Sequence, residues 1–342
     1  MEAVLTRDEA VARPERAAPR KIEARVKSIT SLAEDINAFE FVSADGSELP
    51  SFTAGSHIDV HLPGGTIRQY SLCNPSTERH RYVVAVLRDA NGRGGSIAMH
   101  DELHAGQCVT ISTPRNHFEL SRDAERHVFI AGGIGITPIV AMIDDVQRRG
   151  EAFHLFYCAR TRQRTAFLDA LEPLVDAGDV SVHFDGGDPR NGLDLAETLG
   201  HHTPGTHLYY CGPGGLMDAI ETASAHWPEG TRHCERFSAA GTPVRNDDDR
   251  AAQEPDAPFE VELRRSRQTF AVQPGESIVD VLRGHGVEVD TSCCEGYCGT
   301  CMTRYLEGEP LHRDSVLDAE DREEFVMICC ARSKSPTLVL DL

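Results

Sequence analysis

Three cysteines within nine residues constrain this chain more than any other feature. Cys293, Cys298 and Cys301 are spaced C-x4-C-x2-C, and Cys329 follows after a gap of 27 residues. That is the plant-type pattern in which four thiolates hold a [2Fe–2S] cluster. Ligands this close in sequence make the backbone curl around the cluster. Gly296 and Gly299 permit the turns and let amides approach the sulfides, which favours the cluster's negative charge and tunes its potential. A structural zinc site more often shows paired C-x2-C knuckles or mixed Cys/His ligands. A disulfide framework fits less well: eleven cysteines is an odd count, in a long chain whose polar N-terminus lacks a secretory signal. Cys294 and Cys330 each sit beside a candidate ligand. Choosing Cys294 leaves C-x3-C, which favours Cys293; the fourth place is contested between Cys329 and Cys330, with Cys329 preferred.

At 342 residues the chain has room for two or three domains. Its net charge of −20 argues against nucleic acid and anionic membranes, both recognised through basic surfaces. An acidic surface suits a positive patch on a protein partner, although solubility alone produces the same sign. No run approaches the ~18 apolar residues of a membrane span. Reduced thiols without an export signal point to the cytoplasm.

Residues 1–20 mix charge, Ala and Pro without apolar periodicity and read as a flexible tail. Over 21–122, short alternating runs such as His57-Ile58-Asp59-Val60-His61-Leu62 and Tyr82 to Leu87 are separated by Gly, Pro and Asp turns. They predict an antiparallel β-barrel. Within it, Arg68-Gln69-Tyr70-Ser71-Leu72 offers a cation, a ring and a hydroxyl that suit a flavin mononucleotide. Gly92-Arg93-Gly94-Gly95-Ser96 enters a helix predicted over Ile97–Leu103, and such a turn can cradle an anion. Each motif alone is as readily an ordinary strand or turn.

Over 123–237, strands alternate with helices, one of them predicted from Thr165 to Asp176, and imply an α/β parallel sheet. Its ligands belong beyond the carboxyl ends of the strands, where Gly132, Gly133, Gly135, Thr137, Arg160, Asp185, Cys211, Gly212 and Pro213 fall. The glycine turn is not the G-x-G-x-x-G fingerprint, but it allows close backbone approach to a pyrophosphate. Thr137 either caps the helix or touches phosphate, with capping the default. Asp185 suits a ribose hydroxyl and so NADH, while Arg160 argues the other way. Residues 238–258 read as a linker. Residues 259–342 combine a hairpin, a helix from Ser277 to Gly284, the cysteine loop and a closing strand. That pattern is a small α+β, ferredoxin-like β-grasp module.

With these motifs in this order, the chain resembles the phthalate dioxygenase reductase and vanillate O-demethylase reductase family, flavoprotein reductases of Rieske-type oxygenases. The resemblance runs from about Lys21 to Leu342. It rests on Arg68–Leu72, Arg93–Ser96, Ala131–Pro138, Cys211-Gly212-Pro213, His233-Cys234-Glu235-Arg236-Phe237 and the cysteine loop. It implies that Arg68 and the Gly94–Ser96 turn hold FMN phosphate, with Tyr70 and Ser71 at the ring and Leu72 and Arg93 among the cofactor-binding residues. It further implies that Phe237 covers the flavin, that Cys211 lies near the nicotinamide with Glu235 ordering that site, and that Cys293, Cys298, Cys301 and Cys329 bind iron. The implied route is NADH to FMN to [2Fe–2S] to a Rieske-type oxygenase component, with flavin as the converter between hydride and single electrons. The extra thiol Cys294 departs from the family's usual acidic residue at that place. Two other readings stay open: a redox sensor, motivated by Cys294 and Cys330, and a reductase of the same type serving a non-Rieske acceptor. Among the histidines His233 is singled out, with a structural role as its default.

Overall fold

The computed structural model describes residues 20–92, 94–237, 256–291, 294, 296, 299–314, 316–317 and 319–342. Most of the expected tail and linker, together with Arg93, Cys293 and Cys298, lies outside the described residues. Three larger sheets follow one another along the chain.

The first sheet contains β1 (Lys21–Ala33), β2 (Ile36–Ser43), β3 (Ser56–His61), β4 (Ile67–Ser71), β5 (Tyr82–Leu87), β6 (Cys108–Ser112) and β7 (Arg115–Asn116). Their order is β4-β3-β6-β1-β2-β5, with β7 beside β3, and every pairing is antiparallel. A bridge from Leu72 to Val84 brings the end of β4 to β5 and curls the sheet into a barrel. Alternate side chains fill it, among them Val26, Phe39, Phe41, Ile58 and Val60. Strand β3 breaks the alternation, because every residue from Ser56 to Val60 is buried. Its second face, carrying His57 and Asp59, is therefore covered from outside the barrel. Helix α1 (Gly95–Asp101) begins two residues earlier than the sequence predicts, with Gly94 at φ 81° just before it.

The second sheet holds β8 (Arg126–Gly132), β9 (Ala152–Ala159), β10 (Val180–Phe184), β11 (Thr206–Cys211) and β12 (Arg232–Glu235). They run parallel in the order β10-β9-β8-β11-β12. Helices α2 (Ile136–Arg149), α3 (Leu168–Ala177), α4 (Leu195–Leu199) and α5 (Gly214–Ala223) connect them. One apolar layer packs Ile139, Met142 and Leu171 against Leu155. The other packs Met217, Ile220 and Trp227 against Ile130 and Leu208. Both sheet faces are thus covered, and the strand order reverses between β8 and β11, where such sheets bind their ligands. Helix α3 starts three residues later than the sequence predicts. Phe167 sits in the left-handed region at φ 61°, and the Thr165 hydroxyl donates to the Thr161 carbonyl at 2.8 Å instead of joining the helix.

The third sheet is built from β13 (Phe259–Leu263), β14 (Gln268–Val272), β15 (Met302–Glu307), β17 (Phe325–Met327) and β19 (Thr337–Leu340), in the order β14-β13-β19-β15-β17. A separate ribbon pairs β16 (Pro310–Leu311) with β18 (Arg332–Ser333). Helix α6 (Ile278–Gly284) begins where Ser277 Oγ accepts from the Asp280 amide at 3.0 Å, and it buries Ile278, Val279 and Leu282. Buried Arg332 ties the module together. It donates to the carbonyls of Gln273, Glu276 and Ala257 and lies 4.7 Å above the Phe259 ring.

At the amino ends of β8, β11 and β12, three histidines form a cluster far from the strand carboxyl ends. His233 stacks on Tyr209 at 4.5 Å, with its Nε2 3.0 Å from His207 Nδ1. Fully buried His127 places Nε2 2.9 Å from Glu151. These contacts give His233 a structural role. Burial lowers the pKa of all three, that of His233 to about 4. Because folding favours the neutral rings, their stabilisation is complete above the ordinary value of about 6.5 and is lost as pH falls toward 4. The thermal midpoint, followed by circular dichroism, is expected to fall by several degrees across that window. His233→Phe, which keeps a ring on Tyr209, should flatten this dependence.

Candidate active site and cluster site

Two glycine turns meet at the carboxyl ends of β8 and β11. A Cβ on Gly135 would lie 2.3 Å from the Cys211 carbonyl oxygen, and one on Gly132 would lie 2.7 Å from Pro213. These glycines are required because two adjacent loops touch there. Gly133, Gly214 and Gly215 instead face open space, at the starts of α2 and α5, where an anion is favoured. The Thr137 hydroxyl donates to the Ile134 carbonyl at 3.1 Å, so it stitches the turn internally. Arg160 is exposed at the end of β9. Asp185 follows β10, one strand further out, and accepts from the Gly187 amide at 2.7 Å.

On the barrel, the Arg68 side chain lies against the turn before α1: a Cβ on Gly95 would meet it at 2.4 Å. Two stretches 27 positions apart are thereby joined, one cationic and one a helix start. The Ser96 hydroxyl accepts from the Asp89 amide at 3.1 Å and so holds that loop. Tyr70 packs on the barrel core, and Leu72 places its side chain within that core.

The two sheets converge at Ser71. Its hydroxyl donates to Glu235 Oε2 at 3.0 Å, joining the end of β4 to the end of β12. Burial raises the Glu235 carboxyl to about 7. Cys211, at the end of the neighbouring β11 and fully buried, has its thiol held well above its ordinary value by burial and by Glu235. It is therefore a neutral, apolar wall. Phe237, two residues beyond Glu235, packs against the cluster of apolar residues that includes Cys211. Ser71 and Glu235 thus meet beside Cys211 at the end of β11, and Phe237 packs on the same apolar cluster as Cys211.

At the C-terminal module, β15 pairs with β17 through Met302 and Met327. That pairing brings Cys301, just before β15, to the same end as Cys329, just after β17; the Ile328 amide meets the Cys301 carbonyl at 3.5 Å. Both thiols are buried, at 3 % and 6 % exposure. A pair of buried thiols at one loop end fits iron ligation. Cys330 Sγ contacts the Met327 carbonyl at 3.7 Å and lies against the cysteine loop, 2.7 Å from where a Gly296 Cβ would be. Cys294 is exposed.

The barrel residues that join it to this module lie outside every sequence motif. Arg115 donates to Asp59 at 2.8 Å and to the Thr300 hydroxyl at 3.2 Å. His117 lies 3.0 Å from where a Gly299 Cβ would project, and it stacks on His57 at 5.4 Å. His57 and Asp59, polar yet buried and alternating with Ile58 and Val60 along β3, were the available signal.

A family model described as "Oxidoreductase FAD-binding domain" matches residues 23–120. Another, "Dimethylamine monooxygenase subunit DmmA-like, N-terminal domain", matches 111–228, and "2Fe-2S iron-sulfur cluster binding domain" matches 261–334. The reductase subunit of a tert-butanol monooxygenase / tert-amyl alcohol desaturase from Aquincola tertiaricarbonis is 47% identical, over 93% of this chain and 95% of its own. The solved structure of phthalate dioxygenase reductase, titled a modular structure for electron transfer from pyridine nucleotides to [2Fe-2S], superposes with a TM-score of 0.71. It is 41% identical over 94% of this chain and 98% of its own. This chain belongs to the phthalate dioxygenase reductase family. An intact type IV self-sufficient cytochrome P450 monooxygenase matches 96% of this chain with 43% of its own, at 36% identity and a TM-score of 0.81. Like the solved reductase, this family member carries its barrel, parallel sheet and β-grasp module in one chain.

Cys329→Ser is expected to abolish iron incorporation, whereas Cys330→Ser retains it; iron analysis and visible absorbance decide between them. Ser71→Ala should slow flavin reduction by NADH roughly 10-fold or more, measured by stopped flow. The pH profile of that step should inflect near 7, where Glu235 titrates, and Glu235→Gln should remove the inflection.

Proposed function

We propose that this chain is the NADH-dependent reductase component of a Rieske-type oxygenase acting on an aromatic or related small substrate. Electrons pass from NADH through FMN and a [2Fe–2S] cluster to the oxygenase. The observation that carries this reading is the contact of Ser71 with Glu235 beside Cys211, because a barrel hydroxyl and a buried carboxyl beside the end of β11 suit a site where nicotinamide meets flavin. The flavin, when bound, supplies the conversion of hydride into single electrons.

Each residue has a task in that scheme. Arg68 and the turn Arg93-Gly94-Gly95-Ser96 hold the flavin phosphate, a short grip that suits FMN rather than a dinucleotide. Tyr70 and Ser71 border the ring, whereas Leu72, whose side chain fills the barrel core, can meet it only through its backbone. Gly132, Gly133, Gly135, Thr137, Gly212 and Pro213 shape the pyrophosphate crevice, with Arg160 and Asp185 at its adenosine end. Asp185 carries the preference for NADH. Ser71 and Glu235 orient the reacting edge and hold a proton beside it, Cys211 walls off water, and Phe237 covers the face the nicotinamide takes. Cys293, Cys298, Cys301 and Cys329 ligate the iron, and Arg115, through Thr300, holds their loop against the barrel. The bounds assigned to the three units are 21–122, 123–237 and 259–342. Among the described residues no helix is long and apolar enough to cross a membrane, and a cytoplasmic location agrees with the need for reduced thiols.

A second reading keeps the route and changes the acceptor to a cytochrome P450. It is favoured by the likeness of the whole chain to a portion of a self-sufficient P450 monooxygenase. The purified protein is expected to release FMN and to contain iron and sulfide in cluster stoichiometry. Under NADH it should reduce a Rieske-type protein at least ~10-fold faster than a P450 of similar potential, a difference of about 1.4 kcal/mol in barrier. FAD in place of FMN, zinc in place of iron, or an absence of sustained NADH turnover would falsify the proposal.

A further inference from the structure

Strands β3 and β4 pair so that His57 lies directly opposite Ser71, and side chains directly opposite in an antiparallel ladder share a face. His57 is 1 % exposed, and among the described residues neither of its ring nitrogens has a hydrogen-bond partner. Buried imidazole nitrogens are ordinarily satisfied. One of these, Nδ1, points at Glu235, 3.8 Å from Oε1, while Ser71 occupies the other carboxyl oxygen, Oε2. The gap exceeds a hydrogen bond, and a side-chain shift of about 1 Å closes it. The ring's face is held by His117, which in turn rests beside Gly299 of the cysteine loop.

We propose that His57 is a positioning residue for Glu235: as a neutral ring it donates its Nδ1–H to Oε1 whenever the carboxyl is ionised, so that Ser71 and His57 grip the two oxygens of one carboxylate. Nothing in a lone Ser71 contact fixes the rotation of the carboxyl group, and a second donor on the other oxygen does. Burial above all keeps the ring neutral, and the charges of Arg115 and His117 act in the same direction. Arg115, paired with Asp59, and His117 both face it, and burial pushes its pKa well below the ordinary histidine value. Around Glu235 stand Ser71, His57, Cys211 and Cys234. A neutral imidazole offers one donor and one acceptor, so the proposal fixes the tautomer: the proton is on Nδ1 when Glu235 is an anion.

This inference rests on reading Ser71 and Glu235 as the hydride site, and its test is therefore made on the resting, fully loaded protein without NADH. The carboxyl C=O infrared band of Glu235, identified by its absence in Glu235→Gln, is titrated in wild type, His57→Phe and His57→Gln. Loss of the donor in His57→Phe should raise the midpoint by about one pH unit or more. The amide of His57→Gln should return it to within about half a unit of wild type. The inflection in the pH profile of flavin reduction should move with it, with KM for NADH unchanged. An unmoved midpoint in His57→Phe, or an equal shift in both variants, overturns the proposal, even if the protein remains a fully active reductase. Should His57→Phe fail to load flavin, nitrogen-15 NMR of wild-type histidines above the Glu235 midpoint decides: a protonated Nδ1 on His57 supports the proposal, and a bare Nδ1 overturns it.

Discussion

The contact between Ser71 and Glu235 joins two units that share no strand. One oxygen comes from the barrel's edge and the other from the last strand of the parallel sheet. A carboxyl group taken largely out of water is costly in its ionised form, and the upward shift of Glu235 to about 7 records that cost. The same burial keeps the Cys211 thiol neutral. The site therefore stands near the point where a single proton can be held or released at neutral pH, which is what proton-coupled chemistry requires.

A second seam joins the barrel to the β-grasp module. Arg115 is bound on one side by Asp59 and on the other by Thr300. Since Asp59 is almost fully buried, removing its cation would strand a charge, and such pairs are costly to break from one side. Strand β3 is the common element of both seams. Its inner residues Ile58 and Val60 belong to the barrel core. His57 on its outer face meets the parallel sheet's Glu235, and Asp59 on that face meets the arginine that reaches the cysteine loop.

Much of the architecture was legible from residue patterns, and the differences have local causes. The cap at Ser277 marks the start of α6 because a serine followed three residues later by Asp280 offers the amide and carboxyl groups that close a helix end. Helix α3 starts later than its apolar spacing indicates, because the left-handed backbone at Phe167 and the Thr165 side chain bond intervene. Neither has a periodic signature. Thr137 shows the same limit: its pattern allowed a cap or a phosphate contact, and the hydroxyl turned inward to Ile134.

The amino-acid sequence by itself determined that this chain carries thiolates in plant-type spacing, an alternating barrel segment and a βα alternation, since spacing and period are properties of neighbouring residues. Only the tertiary structure decided that His57, Asp59, Arg115 and His117 lie beside the candidate site residues. Their partners lie from 56 to 185 positions away in the cases of Asp59 with Arg115 and Arg115 with Thr300, and separations of that size leave no local trace. Strand β3 alternates in sequence like a half-buried strand, with His57 and Asp59 on its outer face, and is buried on both faces because neighbouring units close over it.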